Sequence, residues 1–315
     1  MLALLAACSD AGDTRPESEG DALRLGRVHV VLEPSEDAIA PDGRELGEAA
    51  IDSQLDVSAR FAFVRGLDEE FVRARIDVPV LPADALRAGE CVPSASLLLE
   101  SGEPEDSDAR ELVLVDAGDL TVTIGESAFE VPLALVPDLL PYMSGVEYLH
   151  EGDTMPIRSA STPDVVVVAQ GSMTEDMPPF TAQGRVPAAL ELGATEADLD
   201  EQREGALVLR WTPQGDEVIT VRLVPLVGGE ASGDEITCVL ADHGTARIDL
   251  RQLAVLGLSR QVEAVRVTAS RTSVVTFDVG EFTGTELVVE RRDRLIVPTI
   301  STLREPGRLS PGASD

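Results

Sequence analysis

The stretch LDVSARFAFV, residues 55–64, places an apolar side chain at every second position. These apolar residues share one parity, and they are Leu55, Val57, Ala59, Phe61 and Phe63. Successive side chains of a β-strand point to opposite faces, so a period of two predicts a strand with one buried face. The same pattern, followed along the chain in both directions, decides the fold class.

Similar runs recur at spacings of roughly 8–12 residues, with Gly, Pro and Asp turn signals between them. They are residues 28–32, 71–80, 111–118, 120–125, 128–136, 164–170, 206–211, 217–227, 235–241, 245–250, 262–271, 273–279 and 285–292. Such spacing is typical of β-sandwiches. We therefore predict an all-β protein of two β-sandwich-like (immunoglobulin-like) modules with short helical turns. Residues 111–136 are expected to form a three-stranded meander, and residues 235–250 a hairpin around Asp242-His243-Gly244.

The charge of the chain excludes one class of partner. Its 315 residues carry a formal net charge of −32, and such a surface repels nucleic acid. Two acidic clusters raise the alternative of a calcium site, although neither has the spacing of an EF-hand loop. The clusters are Glu103, Glu105, Asp106, Asp108 and Glu111, and Glu196, Asp198, Asp200, Glu201 and Glu204. Exposed, solvated segments are the other interpretation of both.

The N-terminus carries a recognisable motif. Leu5-Ala6-Ala7-Cys8 resembles the lipobox of bacterial lipoproteins, and the resemblance implies that Cys8 receives a diacylglyceryl group and becomes the first residue of the mature protein. A signal peptide has a basic n-region and an apolar region of roughly 7–15 residues. Only seven residues precede Cys8, and none is basic. We therefore expect the true start codon to lie upstream.

Composition predicts how the chain is divided. Residues 137–163 carry four prolines and two glycines, which indicates an irregular crossing or a domain boundary. The predicted divisions are a truncated lipoprotein signal peptide (1–8), a disordered acidic tether (9–24), an N-terminal β domain (25–155), a C-terminal β-sandwich domain (160–300) and a disordered tail (301–315).

Three further stretches strengthen the resemblance to lipoproteins. They are VDAGDLTV (115–122), SGVEY (144–148) and the pattern of Trp211, ITC (236–238) and DHG (242–244). With the lipobox, they resemble uncharacterised surface lipoproteins of myxobacteria. The resemblance implies a place in the cell envelope, attachment to the membrane through the N-terminal lipid, and an unidentified envelope protein or ligand as partner. Ser9 after Cys8 permits sorting to the outer membrane, on its periplasmic or surface face.

Export would change the chemistry of the two remaining cysteines. Cys91 and Cys238 are an even pair, and in an oxidising compartment they are candidates for a disulfide that ties two distant segments together. Two separate buried thiols are the alternative.

Candidate catalytic and metal-binding residues are few. The chain has three histidines, His29, His150 and His243, and no GxSxG nucleophile motif. The methionines cluster near His150, and a set of Met155, Met173, Met177 and His150 offers thioether and imidazole ligands for copper. Packing of loops onto a core, or an apolar patch for a partner, are the other interpretations. We expect a non-catalytic binding or structural role without a cofactor, with an envelope hydrolase and a copper- or calcium-handling protein as alternatives.

Overall fold

The structure is a computed structural model of the chain, and it describes residues 22–34, 51–67, 69–76, 78, 80–97, 111–136, 143–158, 161–173, 177–193, 205–215, 217–255 and 262–298. The strands are β1 (Leu23–Pro34), β2 (Ile51–Arg65), β3 (Cys91–Pro93), β4 (Glu111–Leu114), β5 (Leu120–Ile124), β6 (Ser127–Val131), β7 (Leu133–Leu135), β8 (Met143–Ile157), β9 (Asp164–Ala169), β10 (Phe180–Arg185), β11 (Ala206–Arg210), β12 (Val218–Val227), β13 (Glu230–Ala231), β14 (Ile236–Ala241), β15 (Thr245–Asp249), β16 (Ala264–Val279) and β17 (Phe282–Pro298). The helices are short: α1 (Glu69–Arg75), α2 (Pro82–Ala85) and α3 (Leu250–Val255).

Eleven of these strands form one large sheet. Its order is β3-β14-β12-β16-β17-β1-β2-β4-β8-β7, with β13 paired to β12 and β2 paired also to β8. Neighbouring strands are antiparallel except for the parallel pairs β1–β17 and β4–β8. The long hairpin of β16 and β17 therefore joins the first strand of the fold to the strands of the last third.

Two smaller sheets cover one face of the large sheet, which we call its inner face. The four-stranded sheet β10-β9-β5-β6 lies over the first hydrophobic core, where Phe61 and Leu287 meet Val122 and Val167. The two-stranded sheet β11-β15 and helix α3 lie over the second core. Sheets that pack face to face over apolar side chains make a sandwich. The predicted fold class, an all-β sandwich-like protein with short helical turns, is confirmed.

The opposite, outer face of the large sheet carries charged side chains over much of its middle. At one end, however, Ala62 and Val64 of β2 face outward and pack with Val72 of α1 and with Ile76, the residue that follows it, in a third core. Residues 71–80 were expected to be a strand because apolar residues alternate there. The structure corrects this prediction for residues 71–75, which belong to helix α1. Val72 and Ile76 are four residues apart, which puts both on one face of a helix.

Strand pairing departs from the predicted meander and hairpin. Of residues 111–136, β5 and β6 do pair with each other, whereas β4 joins the large sheet beside β2. The chain turns at 242–244 as expected, but β14 pairs with β12 and β15 pairs with β11. This turn therefore carries the chain from the large sheet to the small one, instead of closing a hairpin.

Residues 137–163 contain a strand that the prediction missed, the fifteen-residue β8. Its glycines mark irregular points along the strand. Gly145 has a φ of 122°, and a Cβ there would lie 2.0 Å from the carbonyl oxygen of Leu114. The pairing of β8 with β2 also shifts register between Leu55 and Val57, as at a β-bulge.

Strands from the two predicted domain ranges, 25–155 and 160–300, pair with one another. The pairs β1–β17, β3–β14 and β5–β9 each join one range to the other. The two larger sheets are therefore built from both ranges. The first strand begins at Leu23, inside the predicted tether 9–24. The remainder of that tether, the segment 1–8 and the tail 301–315 lie outside the described residues.

Candidate functional site

A cleft of about 890 Å³ opens at the start of β12, where β16 continues beyond its pairing with β12. Its floor is a band of polar side chains from four adjacent strands, β12, β16, β17 and β1. They are Thr220, Arg222, Ser270, Thr272, Glu290, His29 and Arg27. Residues 80–84, which include the first three residues of α2, form one wall, and residues 185–188 with Gln214, Glu217 and Val218 form the other. Clefts of this size are ordinary sites for small ligands or peptide segments.

A buried ion pair fixes the second wall. The guanidinium of Arg271 donates from Nε to Oδ2 of Asp242 over 2.8 Å and from Nη2 to Oδ1 over 3.0 Å. It also donates to the carbonyl oxygen of Ala189, and Trp211 Nε1 donates to Oδ1 of Asp242 over 2.6 Å. The side chains of Arg271 and Asp242 are 6% and 2% exposed. Burial by itself raises the pKa of the Asp242 carboxyl, but the hydrogen bonds from Arg271 and Trp211 outweigh it and lower the pKa below its usual value.

One residue in the sequence indicates this network, because Arg271 carries a charge at a position where the strand pattern predicts an apolar side chain. Val265, Val267 and Ala269 of β16 face the second core, and Arg271 continues their parity. An arginine on a core-facing parity must find buried acceptors, because an unpaired buried charge is costly. Arg271 was not among the residues predicted to form a site, and Asp242 was interpreted from the sequence as a turn residue only.

A second charged group lies on the outer-face side of the cleft. His29 Nε2 is 3.1 Å from Oε2 of Glu290, and Arg292 donates to both oxygens of the same carboxylate. Burial raises the pKa of Glu290, but the hydrogen bond from His29 and the charge and hydrogen bonds of Arg292 shift it well below its usual value. A carboxylate held beside an imidazole can orient the ring.

Arg222 differs from the other arginines of the cleft. Arg27 donates to Glu286 over 2.7 Å, and Arg271 is bound to Asp242. The half-buried side chain of Arg222 makes no hydrogen bond or ion pair within the described chain. A half-buried cation that faces a cleft without a counter-charge favours an anionic group on whatever binds there.

The predicted pair of cysteines forms a disulfide in the structure. Cys91 of β3 lies directly opposite Cys238 of β14, with a Cα–Cα distance of 4.1 Å and a sequence separation of 147. Ser94, three residues on, donates to Glu235 and contacts Thr237 of the same strand. The disulfide therefore ties the segment that follows α2, and with it the first wall of the cleft, to the large sheet.

The four predicted copper ligands lie in unlike environments. Met155 and Met177 are buried in the first core, whereas the side chain of Met173 is fully exposed. His150 packs edge-on against Phe129, and its Nε2 is 3.2 Å from Oδ2 of Asp153. Across the described residues, no group of three His, Cys, Asp or Glu side chains is arranged to hold a metal ion.

Two side-chain contacts connect residues of the three stretches that resemble lipoproteins. Tyr148, in SGVEY, is 2% exposed, and its hydroxyl accepts from the backbone N–H of Ala117 over 2.8 Å. The same hydroxyl lies 2.7 Å from Oδ1 of Asp116, so VDAGDLTV and SGVEY meet at this ring. Burial, with the hydrogen bond to Asp116, raises the pKa of Tyr148 well above its usual value. Within the third pattern, the hydrogen bond from Trp211 to Asp242 connects residues that are 31 positions apart, so these residues hold the fold together.

Other predicted sites lie outside the described residues. They are Cys8 with its lipobox, the second acidic cluster, and the first acidic cluster except Glu111. Glu111 is about half exposed at the start of β4, and it lies 4.0 Å from Arg65. None of the helices that the structure describes has the length and hydropathy needed to cross a bilayer.

Comparison of the chain with protein-family models, with curated proteins and with solved structures finds no match.

Proposed function

We propose that this chain is an exported protein, anchored in the cell envelope by lipid on Cys8, with a non-catalytic binding role at the cleft. The Cys91–Cys238 disulfide is the observation that carries the proposal, because such bonds persist in oxidising compartments and are rare in the cytosol. The lipobox at 5–8 supports the mode of attachment. Two acyl chains hold a protein firmly at a membrane, whereas one holds it weakly.

The anchor is tested in the native cells, with the gene tagged at its 3′ end so that translation begins at the natural start. Cells are fed a clickable fatty acid, and the tagged chain is assayed for label and for its place in the membrane fraction. We expect the wild type to be labelled and membrane-bound, and Cys8→Ser to lose both properties. Ser9→Ala, which leaves the acylated thiol in place, is the matched control and keeps the label. A Cys8→Ser chain that stays labelled would overturn the proposal.

One contact favours a second candidate, an envelope hydrolase. The His29–Glu290 pair lies in the cleft, and an imidazole oriented by a carboxylate is the general-base part of many hydrolytic sites. Within the described residues, however, no serine or threonine hydroxyl is hydrogen-bonded to His29. The purified chain and its His29→Gln variant are compared on a p-nitrophenyl ester. Equal rates are expected for a binding protein, and a large loss in His29→Gln would establish the hydrolase.

A further inference from the structure

The edge of β16 beside the cleft is open. β12 pairs with β16 only from Ala264 to Ser270, whereas β17 pairs with it through to Val279. Over residues 272–278, the described chain supplies backbone partners from β17 alone. In an antiparallel pair alternate residues turn their N–H and C=O groups away from the partner. This segment therefore presents a row of donors and acceptors on its other side, as an edge strand does.

The cleft lies against this open edge. Thr272, Ser273 and Val274 line it, and β12 begins only at Val218, so its pairing with β16 does not extend along them. The cleft therefore lies beside β16 in the position that β12 would occupy if its pairing with β16 continued past Ser270. Val274 and Val80 are large apolar side chains that line it and remain 44% and 43% exposed. An added strand would find backbone partners on one side and apolar surface beside them.

The charge in the cleft indicates what the added strand carries. Among the described arginines that line the cleft, Arg222 is the half-buried one without a counter-charge, whereas the carboxylates of Asp84 and Glu217, which also line the cleft, are exposed to water. A solvated carboxylate gains little from a partner, but a half-buried guanidinium gains a charge-assisted hydrogen bond. A second copy of this chain is a poor occupant, because each copy carries a net charge of −32.

We propose that the open edge of β16 binds an extended peptide segment of another protein, which adds a strand along residues 272–278 and presents a carboxylate to Arg222. Strand addition of this kind takes its affinity from backbone hydrogen bonds and its specificity from pockets for alternate side chains. The proposal rests on the binding role proposed above and names the class of ligand. The carboxylate belongs either to an acidic side chain or to a free C-terminus of the peptide.

The test selects linear peptides from a displayed random library against the full chain with its disulfide formed, and the selected peptides are then synthesised. Their affinities are measured by fluorescence anisotropy after N-methylation at each position in turn. Strand addition predicts at least tenfold weaker binding at alternate positions and little change between them, because only alternate N–H groups face β16. Amidation of the C-terminus distinguishes the two sources of the carboxylate. It abolishes binding through a terminal carboxylate and leaves binding through an acidic side chain unchanged.

Two pairs of variants complete the test. Arg222→Gln is expected to weaken binding about tenfold or more, whereas Arg266→Gln, a half-buried outer-face arginine on β16 that does not line the cleft, leaves it unchanged. Val274→Lys is expected to block the edge, and Val168→Lys, at a position 41% exposed on β9 outside the cleft, is its control. Urea unfolding verifies that each variant is folded.

Three results would each overturn the strand-addition proposal. They are a library that enriches no peptide, N-methylation that weakens binding equally at every position, and full affinity in Arg222→Gln. None of these results depends on acylation. A failure of the lipid anchor is therefore distinguished from a failure of the peptide site.

Discussion

Replacing Asp242 by alanine should destabilise the protein more than any surface substitution. The change leaves the guanidinium of Arg271, 6% exposed, with backbone carbonyls but no counter-charge, and it removes the acceptor of the Trp211 indole N–H. Breaking a buried ion pair by removing one partner costs about 3–5 kcal/mol, because the other charge stays buried. For a chain of this size such a loss corresponds to a fall in Tm on the order of 10 °C.

The chain offers a reporter at the site itself, since Trp211 is its single tryptophan. Urea unfolding followed by tryptophan fluorescence therefore measures both the free energy of unfolding and the local environment of the network. Asp242→Asn keeps an oxygen that can accept from the indole but loses the charge, so it separates the two contributions. Asp164→Ala is the matched control, because the Asp164–Arg185 pair is 71% and 68% exposed and its loss should cost about 0–1 kcal/mol.

A second substitution tests whether the unpaired charge of Arg271 causes the loss of stability. In the background of Asp242→Ala, Arg271→Met removes the stranded charge and should recover part of the stability, because an apolar pair can replace a buried ion pair. A free energy of unfolding for Asp242→Ala that lies within about 1 kcal/mol of the wild-type value, as expected for the Asp164 control, would contradict this explanation.

The remaining predictions concern the disulfide, acid stability and Tyr148. Replacing Cys91 and Cys238 together by alanine should lower the free energy of unfolding by about 2–5 kcal/mol. Equal urea midpoints with and without reductant for the wild type would contradict this. The pKa of Glu290 is lowered in the folded state, so its contribution to stability is present above its unfolded value near 4 and is lost as pH falls below it. Urea midpoints should therefore drop on acidification through about pH 4, and a midpoint independent of pH there would be the contrary result. Tyr148→Phe removes the acceptor of the buried Ala117 N–H and should cost about 1–3 kcal/mol, measured by thermal unfolding; an unchanged Tm would show that the hydroxyl contributes nothing.

The alternation of apolar and polar residues was sufficient to predict a strand where one face of that strand is buried. The shared parity of Leu55 and Phe61 predicts that both lie on the core side of β2, and both are fully buried there. Pattern alone failed at residues 71–80, because Val72 and Ile76 satisfy a helical period as well as an alternation. The helix is favoured over a strand because Val72 and Ile76 pack on the outward-facing Ala62 and Val64. That apolar surface exists only once β2 is part of the sheet.

The cleft could not be predicted from the sequence, because its floor depends on long-range pairing. Arg27 and Glu286 are 259 positions apart, and the parallel register of β1 and β17 places them opposite each other. No local motif encodes that register. The disulfide could be predicted, since Cys91 and Cys238 are the two of the three cysteines that lie outside the lipobox, but its geometry depends on the placement of β3 beside β14. The charge on the core-facing parity at Arg271 was the one local signal of the buried network.

The measurement closest to the central claim is mass spectrometry of the N-terminal peptide of the mature protein, purified from the membranes of the native cells. If the chain is anchored by lipid on Cys8, we expect a peptide that begins at Cys8 and carries a diacylglyceryl group on its sulfur. A peptide in which Cys8 bears a free thiol and is still joined to Ala7 would contradict it.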